Sequence, residues 1–154
     1  QIPHIKRLRI HTRLPVVMPS RITDEFVSLL KNSSLRCNVV LHINHANELS
    51  AELPTALKKL TDAGIMLFNQ AVLLANINNN VPALVDLHEA LFDNRIQPYY
   101  LHLTDPVEGT AHFDVTDAEA KELMRELLKH LPGFLMPKLV REVAGEESKT
   151  PIAF

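Results

Sequence analysis

The sequence predicts an α/β fold of parallel βα repeats, which form either an open doubly wound sheet or part of a TIM-type barrel. Short β-branched runs alternate with segments whose apolar residues recur at helical spacing, and each repeat takes about 30 residues. Polar side chains also gather after the strands, where parallel α/β folds bind their ligands. The alternation alone fits an open doubly wound sheet as well as a barrel, and both require right-handed helical crossovers.

The first half of the chain contains two predicted strands and two predicted helices. RLRIH, from Arg7 to His11, alternates and predicts the first strand. Thr23 is the predicted N-cap of a helix that runs to about Lys31. A β-branched run from Cys37 to Ile43 predicts the second strand. The second helix is predicted to begin after the cap Ser50 and to end at Gly64. Its predicted buried face consists of Leu53, Ala56, Leu57 and Leu60.

The second half continues the alternation with three strands and two helices. The predicted strands run from Ile65 to Gln70, from Ile96 to Thr104 and from Phe134 to Glu142. Pro82 suits the first turn of the third helix, and Thr116 with Glu119 forms a capping-box pattern before the fourth. The predicted buried stripes are Leu84, Leu87, Leu91 and Phe92 in one helix, and Leu123, Leu127 and Leu131 in the other.

Composition narrows the class of protein. The 154 residues predict one domain over 1–154, and 46% hydrophobic residues are typical of a globular domain. The single cysteine, Cys37, forms no internal disulfide, so we expect a cytoplasmic protein. Sixteen basic and eighteen acidic residues argue against direct nucleic-acid binding, and no apolar run indicates a membrane span. Neither GxGxxG nor the P-loop pattern occurs.

Polar residues concentrate at the carboxyl ends of the predicted strands, whereas Leu8, Val39, Met66 and Leu135 mark plainer amino ends. This asymmetry predicts a ligand site above an apolar wall. The residues at the five carboxyl ends are, in strand order, His11, Thr12 and Arg13; His42, Asn44, His45, Asn47 and Glu48; Asn69 and Gln70; His102 and Asp105; Glu142 and Lys149.

Several of these residues also have a purely structural interpretation. His42, His45, His102 and His112 could ligate a metal, but the zinc patterns HExxH and CxxC are absent, so we predict no metal site. Asp105 precedes Pro106, so it either merely begins a turn or, as a carboxylate at a strand end, meets the requirement of an ammonium ligand. Lys149 lies in GEESKTP near the chain end, where it is either a solvated tail lysine or a desolvated Schiff-base lysine.

Three further features receive structural interpretations. Tyr99 and Tyr100 are expected to alternate between the two faces of the fourth strand and to serve packing. The basic run from Lys6 to Arg9 is interpreted as a solvated edge without a role in the site. Cys37 is interpreted as a small core residue.

Five segments together resemble the lysine 2,3-aminomutase family of radical S-adenosylmethionine (SAM) enzymes, in order and over nearly the whole chain. The likeness is strongest to the branch that makes (R)-β-lysine for modifying elongation factor P. The segments are LRIHTRLPVVMPSRIT, HINHANEL, FNQAVLLANINNN, PYYLHLTDPVEGTAHF and SKTP.

The resemblance implies a partial TIM barrel with a [4Fe-4S] cluster, SAM and pyridoxal phosphate (PLP) at its mouth. Lys149 matches the lysine that binds PLP covalently. Asp105 and Glu142 match carboxylates that bind the side-chain ammonium of a lysine substrate. His42 and Gln70 match positions that line the SAM site, and Asn44 is assigned beside them. Glu142, where free-lysine mutases have aspartate, and His102, where they have tyrosine, resemble the elongation factor P branch.

The radical SAM motif CxxxCxxC does not occur in the chain. The resemblance places that motif upstream of Gln1, so the chain is expected to be the C-terminal half of a lysine aminomutase and inactive alone, because a cluster needs several thiolates. Its expected partners are lysine, the missing half, the elongation factor P pathway and, through exposed edges, a second copy. The alternatives are a non-catalytic half-barrel that serves binding or assembly, and a histidine-based metal hydrolase.

Overall fold

A six-stranded sheet forms the centre of the computed structural model, which describes residue 2 and the ranges 4–105 and 108–154. The strands lie side by side in chain order; the first five are parallel and the sixth is antiparallel to the fifth. An order without reversal is that of a barrel segment and not of a doubly wound sheet. The strands are β1 (Arg7–Thr12), β2 (Arg36–Leu41), β3 (Met66–Val72), β4 (Ile96–His102), β5 (Lys138–Arg141) and β6 (Thr150–Pro151).

The helices begin largely where the sequence predicts them, because local hydrogen bonds satisfy their first amide groups. The Thr23 hydroxyl accepts from the Phe26 N–H at 3.2 Å, and Thr116 with Glu119 forms the predicted capping box. Pro82 lies in the first turn of its helix, as predicted. The helices are α1 (Leu14–Val17), α2 (Asp24–Lys31), α3 (Leu53–Asp62), α4 (Val81–Asp93) and α5 (Asp117–Leu127).

One face of the sheet packs against the helices and forms the core. Side chains alternate along a strand, so every second residue of the parallel strands faces this layer. The helices contribute apolar stripes, and those of α3 match the predicted positions. The buried strand residues of this core include Val39, Leu41, Leu67, Ala71, Leu101 and Leu139, and the helix residues include Leu53, Leu57, Leu60, Leu84, Leu87, Leu91 and Leu127. Within the described residues, none of the helices has the length and apolarity needed to cross a membrane.

Two predicted boundaries and one predicted buried residue are wrong. Ser50 does not cap α3, which begins at Leu53 after Glu52 because Pro54 suits the first turn. The fifth strand begins at Lys138, since residues 133–135 form a 3₁₀ turn and the proline at 137 lacks a ladder donor. Phe92, predicted to be buried, is exposed at the end of α4, and the centroid of its ring lies 5.3 Å from that of Phe134.

The alternating placement of Tyr99 and Tyr100 is also wrong. The register between β3 and β4 shifts from Asn69–Pro98 to Gln70–Tyr100, which leaves Tyr99 as the extra residue of a β-bulge. A bulge adds one residue to one strand, so two consecutive side chains can turn to the same face. The two rings lie together, with centroids 3.8 Å apart, and both line a cavity on the face that the helices do not cover.

Candidate active site

The face of the sheet that is not covered by helices carries polar and aromatic side chains. The His11 and His42 rings, from β1 and the end of β2, are 5.9 Å apart. On β4, the Tyr100 and His102 rings are 5.6 Å apart, as expected for residues two apart on one face. Gln70 pairs with Tyr100 across the parallel ladder and shares that face. The polar residues predicted at successive strand ends therefore do converge on one side of the sheet.

Lys149 and Glu142 meet across the β5–β6 hairpin. In this antiparallel pair Val140 lies opposite Pro151 and Arg141 opposite Thr150. One step further towards the loop, the same register places Glu142 opposite Lys149. The Lys149 Nζ donates a hydrogen bond to Glu142 Oε1, and the hydrogen bond and charge of Lys149 lower the pKa of the Glu142 carboxyl. Lys149 is half-buried and therefore is not a free tail lysine.

A cavity of about 420 Å³ lies beside this ion pair. Its aromatic wall is the tyrosine pair that the β-bulge turns inward. A hydrogen bond of 3.0 Å joins the Tyr99 and Tyr100 hydroxyls, and this bond and burial raise the pKa of Tyr100. The Lys149 Nζ lies 5.8 Å from the centroid of the Tyr100 ring, within the range of a cation–π contact. The lysine thus has a carboxylate and an aromatic face as neighbours.

Three histidines of this face favour the neutral form. Burial, and then neighbouring cations that include Lys149, lower the pKa of His11 and of His42. Burial lowers the pKa of His102 to about 4, and Lys149 lowers it further than Glu142 raises it. At neutral pH these imidazoles are therefore hydrogen-bonding groups without charge.

Buried polar atoms without a partner point to a ligand on the same face. Within the described residues, His42 Nε2, Gln70 Oε1 and His102 Nε2 are buried and make no hydrogen bond. Buried polar atoms are normally paired, so such atoms on three successive strands suit a ligand with several donors and acceptors. The Asn44 side chain is different, because its Oδ1 accepts from the Val72 N–H at 2.9 Å.

Asp105 lies apart from the cavity that Lys149 and Glu142 share. It is exposed beyond the end of β4, next to residues 106 and 107, which lie outside the described part of the chain. The described residues that line the cavity include Glu142 and do not include Asp105. The pairing of these two carboxylates on one ammonium stays a prediction.

Two histidines of the metal hypothesis have other surroundings. His45 caps a 3₁₀ turn, accepting from the Asn47 N–H at its Nδ1 and donating its own N–H to Glu48. His112 packs against Phe113, with ring centroids 3.9 Å apart. Among residues 2, 4–105 and 108–154, no group of three histidine, cysteine, aspartate or glutamate residues converges as a metal site.

Sequence reasoning missed Arg9 and the tyrosine pair as cavity residues. The sequence predicts that Arg9 belongs to a solvated edge, but it lines the cavity with His11, Tyr99 and Tyr100. The alternation of Arg7, Arg9 and His11 along β1 was the available signal, since it places all three on one face. No comparable signal marks Tyr99, because a bulge depends on the pairing with the neighbouring strand.

The chain's residues fit two of the three implied groups. Lys149, half-buried beside a cavity with an aromatic wall, fits a planar aldehyde such as PLP. The unpaired atoms of His42 and Gln70 fit the polar groups of SAM. A [4Fe-4S] cluster does not fit: Cys37 is the only cysteine, it packs against the helix-covered core, and its Sγ contacts the Leu35 carbonyl at 3.5 Å.

Comparison with known structures defines the class of fold. A radical SAM methyltransferase from Sphaerobacter thermophilus matches with a TM-score of 0.61 and 12% identity, over 86% of this chain and 40% of that one. Streptococcus suis SuiB, solved with SAM bound, matches with a TM-score of 0.59 and 14% identity, over 89% and 33%. The fold is therefore a segment of a radical SAM-type partial barrel, as the sequence predicted.

Curated relatives then narrow the similarity to one group of enzymes. The L-lysine 2,3-aminomutase of Escherichia coli is 53% identical over 151 residues, which are 98% of this chain and 44% of that protein. The glutamate 2,3-aminomutase of Clostridioides difficile is 37% identical over 152 residues, 99% of this chain and 36% of that protein. No family model matches the chain. Over almost its whole length the chain is therefore similar to 2,3-aminomutases of lysine and of glutamate, and it spans less than half the length of these relatives.

Proposed function

We propose that the polypeptide containing this chain is a lysine 2,3-aminomutase that converts L-lysine to (R)-β-lysine, and that these residues form its C-terminal half. One observation carries the proposal: a half-buried lysine, Lys149, faces a cavity beside a carboxylate and an aromatic ring. The family relatives support the reaction, since those above are named as 2,3-aminomutases of lysine and of glutamate. A role in elongation factor P modification, in the cytoplasm, is part of the same proposal.

In this proposal each residue of the open face has a task. Lys149 holds PLP covalently, and His42, Gln70 and Asn44 line the SAM site. Asp105 and Glu142 bind the side-chain ammonium of lysine and so fix which carbon faces the reacting centre, an effect of orientation. When bound, SAM would supply the radical that removes a hydrogen atom, and PLP would bind the migrating amine covalently. The cluster ligands come from outside these residues, so we expect the chain alone to be inactive.

Borohydride trapping tests the proposal. The complete polypeptide that contains this chain is incubated with PLP, reduced and digested, and the modified peptide is mapped by mass spectrometry. We expect a pyridoxyl group on Lys149, its loss in Lys149→Arg, and no change in Lys58→Arg, which alters an exposed lysine of α3.

The other outcome is equally clear. If the label is spread over surface lysines and absent from Lys149, the assignment of PLP is wrong. The chain would then be better explained as a half-barrel that binds or assembles without chemistry.

A further inference from the structure

We propose that Lys149 occupies the ammonium position at Glu142 until PLP binds it, so that the cofactor must be loaded before a substrate amine can bind there. This inference rests on the proposed function and adds an order of binding to it. Neither the resemblance nor the comparisons contain this order. It follows from the register of one hairpin and from the surroundings of one ammonium.

The register of the β5–β6 hairpin places the Glu142 and Lys149 side chains next to each other. Because Arg141 lies opposite Thr150, the next facing pair is Glu142 and Lys149. Directly opposed residues of antiparallel strands have Cβ atoms about 5 Å apart, so opposite charges at these positions interact. The seven-residue spacing between the carboxylate and the lysine is therefore the spacing of a cross-strand pair.

The lysine ammonium has the surroundings that recognise a primary alkylammonium. Its Nζ donates to Glu142 Oε1 and lies 5.8 Å from the Tyr100 ring centroid. The Lys149 side chain is 24% exposed and the Glu142 side chain 58% exposed, so solvent and ligands reach the carboxylate more easily than they reach the lysine. A substrate ammonium that approaches Glu142 therefore finds a group of its own kind already bound there.

The two ammonium groups exclude one another. Both carry one positive charge and both need the same carboxylate, and two like charges around one acceptor repel at short range. The neutral His102 and His42 supply no second anion. Glu146 and Glu147 also line the cavity, but the carboxylate that accepts from the Lys149 Nζ is that of Glu142. In the cofactor-free protein, the apparent affinity of Glu142 for an external amine is its intrinsic affinity multiplied by the fraction of time that Lys149 leaves the carboxylate free.

Loading of the cofactor ends the competition. The Lys149 nitrogen bonds to the aldehyde carbon of PLP, one water molecule leaves, and the surplus proton of the ammonium passes to solvent. After this step the nitrogen no longer is a primary ammonium at Glu142, and the carboxylate accepts the side-chain ammonium of the substrate. The same residue pair thus serves an unloaded state and a loaded state in sequence.

The test measures binding of n-pentylammonium to the cofactor-free, complete polypeptide by calorimetry. This probe has one primary ammonium and no α-amino acid group. Lys149→Met removes the internal competitor, and we expect the probe to bind about fivefold more tightly than to the wild type. Lys149→Gln is a second variant in case the first does not fold. Lys58→Met, which removes the ammonium of the exposed Lys58–Asp62 pair, is the matched control and should leave the affinity unchanged.

The variant Glu142→Gln completes a double-mutant cycle with Lys149→Met and shows whether the gain in affinity depends on the Glu142 carboxylate. In combination with Lys149→Met, it should abolish the gain, because the shared acceptor is gone. Equal affinity of the wild type and both Lys149 variants, or a gain that survives Glu142→Gln, overturns the competition. Failure of the proposed function appears elsewhere, as absence of a pyridoxyl group from Lys149 in the trapping experiment.

Discussion

The two faces of the parallel sheet differ in chemistry although they alternate residue by residue along the same strands. On β3, Leu67, Asn69 and Ala71 are buried, whereas Met66, Phe68 and Gln70 on the other face are partly or largely accessible. Leu67 and Ala71 pack in the helix-covered core, and the Asn69 side chain bonds to the backbone of Ile43. The other set lies on the face of the sheet that carries the cavity. The difference teaches that stability and chemistry are separated here by the period of two of a β-strand and not by position along the chain.

The largest expected loss of stability comes from shortening a side chain on the helix-covered face. Leu67 is 3% exposed and its neighbour Met66 is 62% exposed. Leu67→Ala should lower the free energy of unfolding by about 3 kcal/mol, because it leaves a cavity in a packed core. Met66→Ala should cost less than about 1 kcal/mol. Urea unfolding of both variants makes the comparison, and equal losses would contradict the separation of the faces.

A buried histidine on the covered side should make stability depend on pH. His88 belongs to the buried stripe of α4, and burial lowers its pKa from 6.5 to about 4. Between these pH values the unfolded chain binds a proton that the folded chain does not, so stability falls as pH falls. The total loss is ~3 kcal/mol. Stability curves of wild type and His88→Leu should therefore converge or cross as the pH is lowered from 6.5 to 4.

A matched control for this prediction is His130→Leu, which changes an exposed histidine. Its stability curve should run parallel to that of the wild type over the same pH range. A His88→Leu curve that also stayed parallel to the wild type would show that the buried imidazole is not the source of the pH dependence.

The smallest expected changes in stability concern Asn69 and Gln70, two neighbouring residues of β3 with amide side chains. Asn69 accepts from the Ile43 N–H and donates to the Ile43 carbonyl, both at 2.9 Å, and so ties β3 to the end of β2. Asn69→Ala should cost about 2 kcal/mol, because it leaves buried backbone groups unpaired. Gln70→Ala should cost about 0.5 kcal/mol or less, since the buried Gln70 Oε1 has no partner within the described residues. Thermal unfolding distinguishes them, and a Gln70 variant as unstable as the Asn69 variant would assign Gln70 a structural role.

Much of the fold was predictable because its signals are local. Thr23, Thr116 with Glu119, and Pro82 mark helix starts through bonds within one turn, and the structure confirms each of them. The apolar stripe of α3 and the β-branched runs are likewise local patterns. The candidate site was predictable in part, because parallel strands bring their carboxyl ends to one edge whatever their sequence.

The errors fall where distant residues decide the local structure. The β-bulge that turns Tyr99 beside Tyr100 exists only in the register with Asn69 and Gln70 of the neighbouring strand. β6 is two residues long and has no periodicity of its own, and it is a strand only because it pairs with β5. Alternation places Arg9 on one face of β1 with His11, but only the sheet around that face makes it line the cavity.

The sequence by itself determined the alternation of strands and helices, the helix starts, and the set of polar residues at the strand ends, because caps and periodicity act over a few residues. It also carried the family resemblance, through motifs distributed along the chain. The tertiary structure decided which side chains meet: the opposition of Glu142 and Lys149, the inward tyrosine pair, and the unpaired atoms of His42, Gln70 and His102. These depend on strand register, which is set by pairing between segments far apart in the chain.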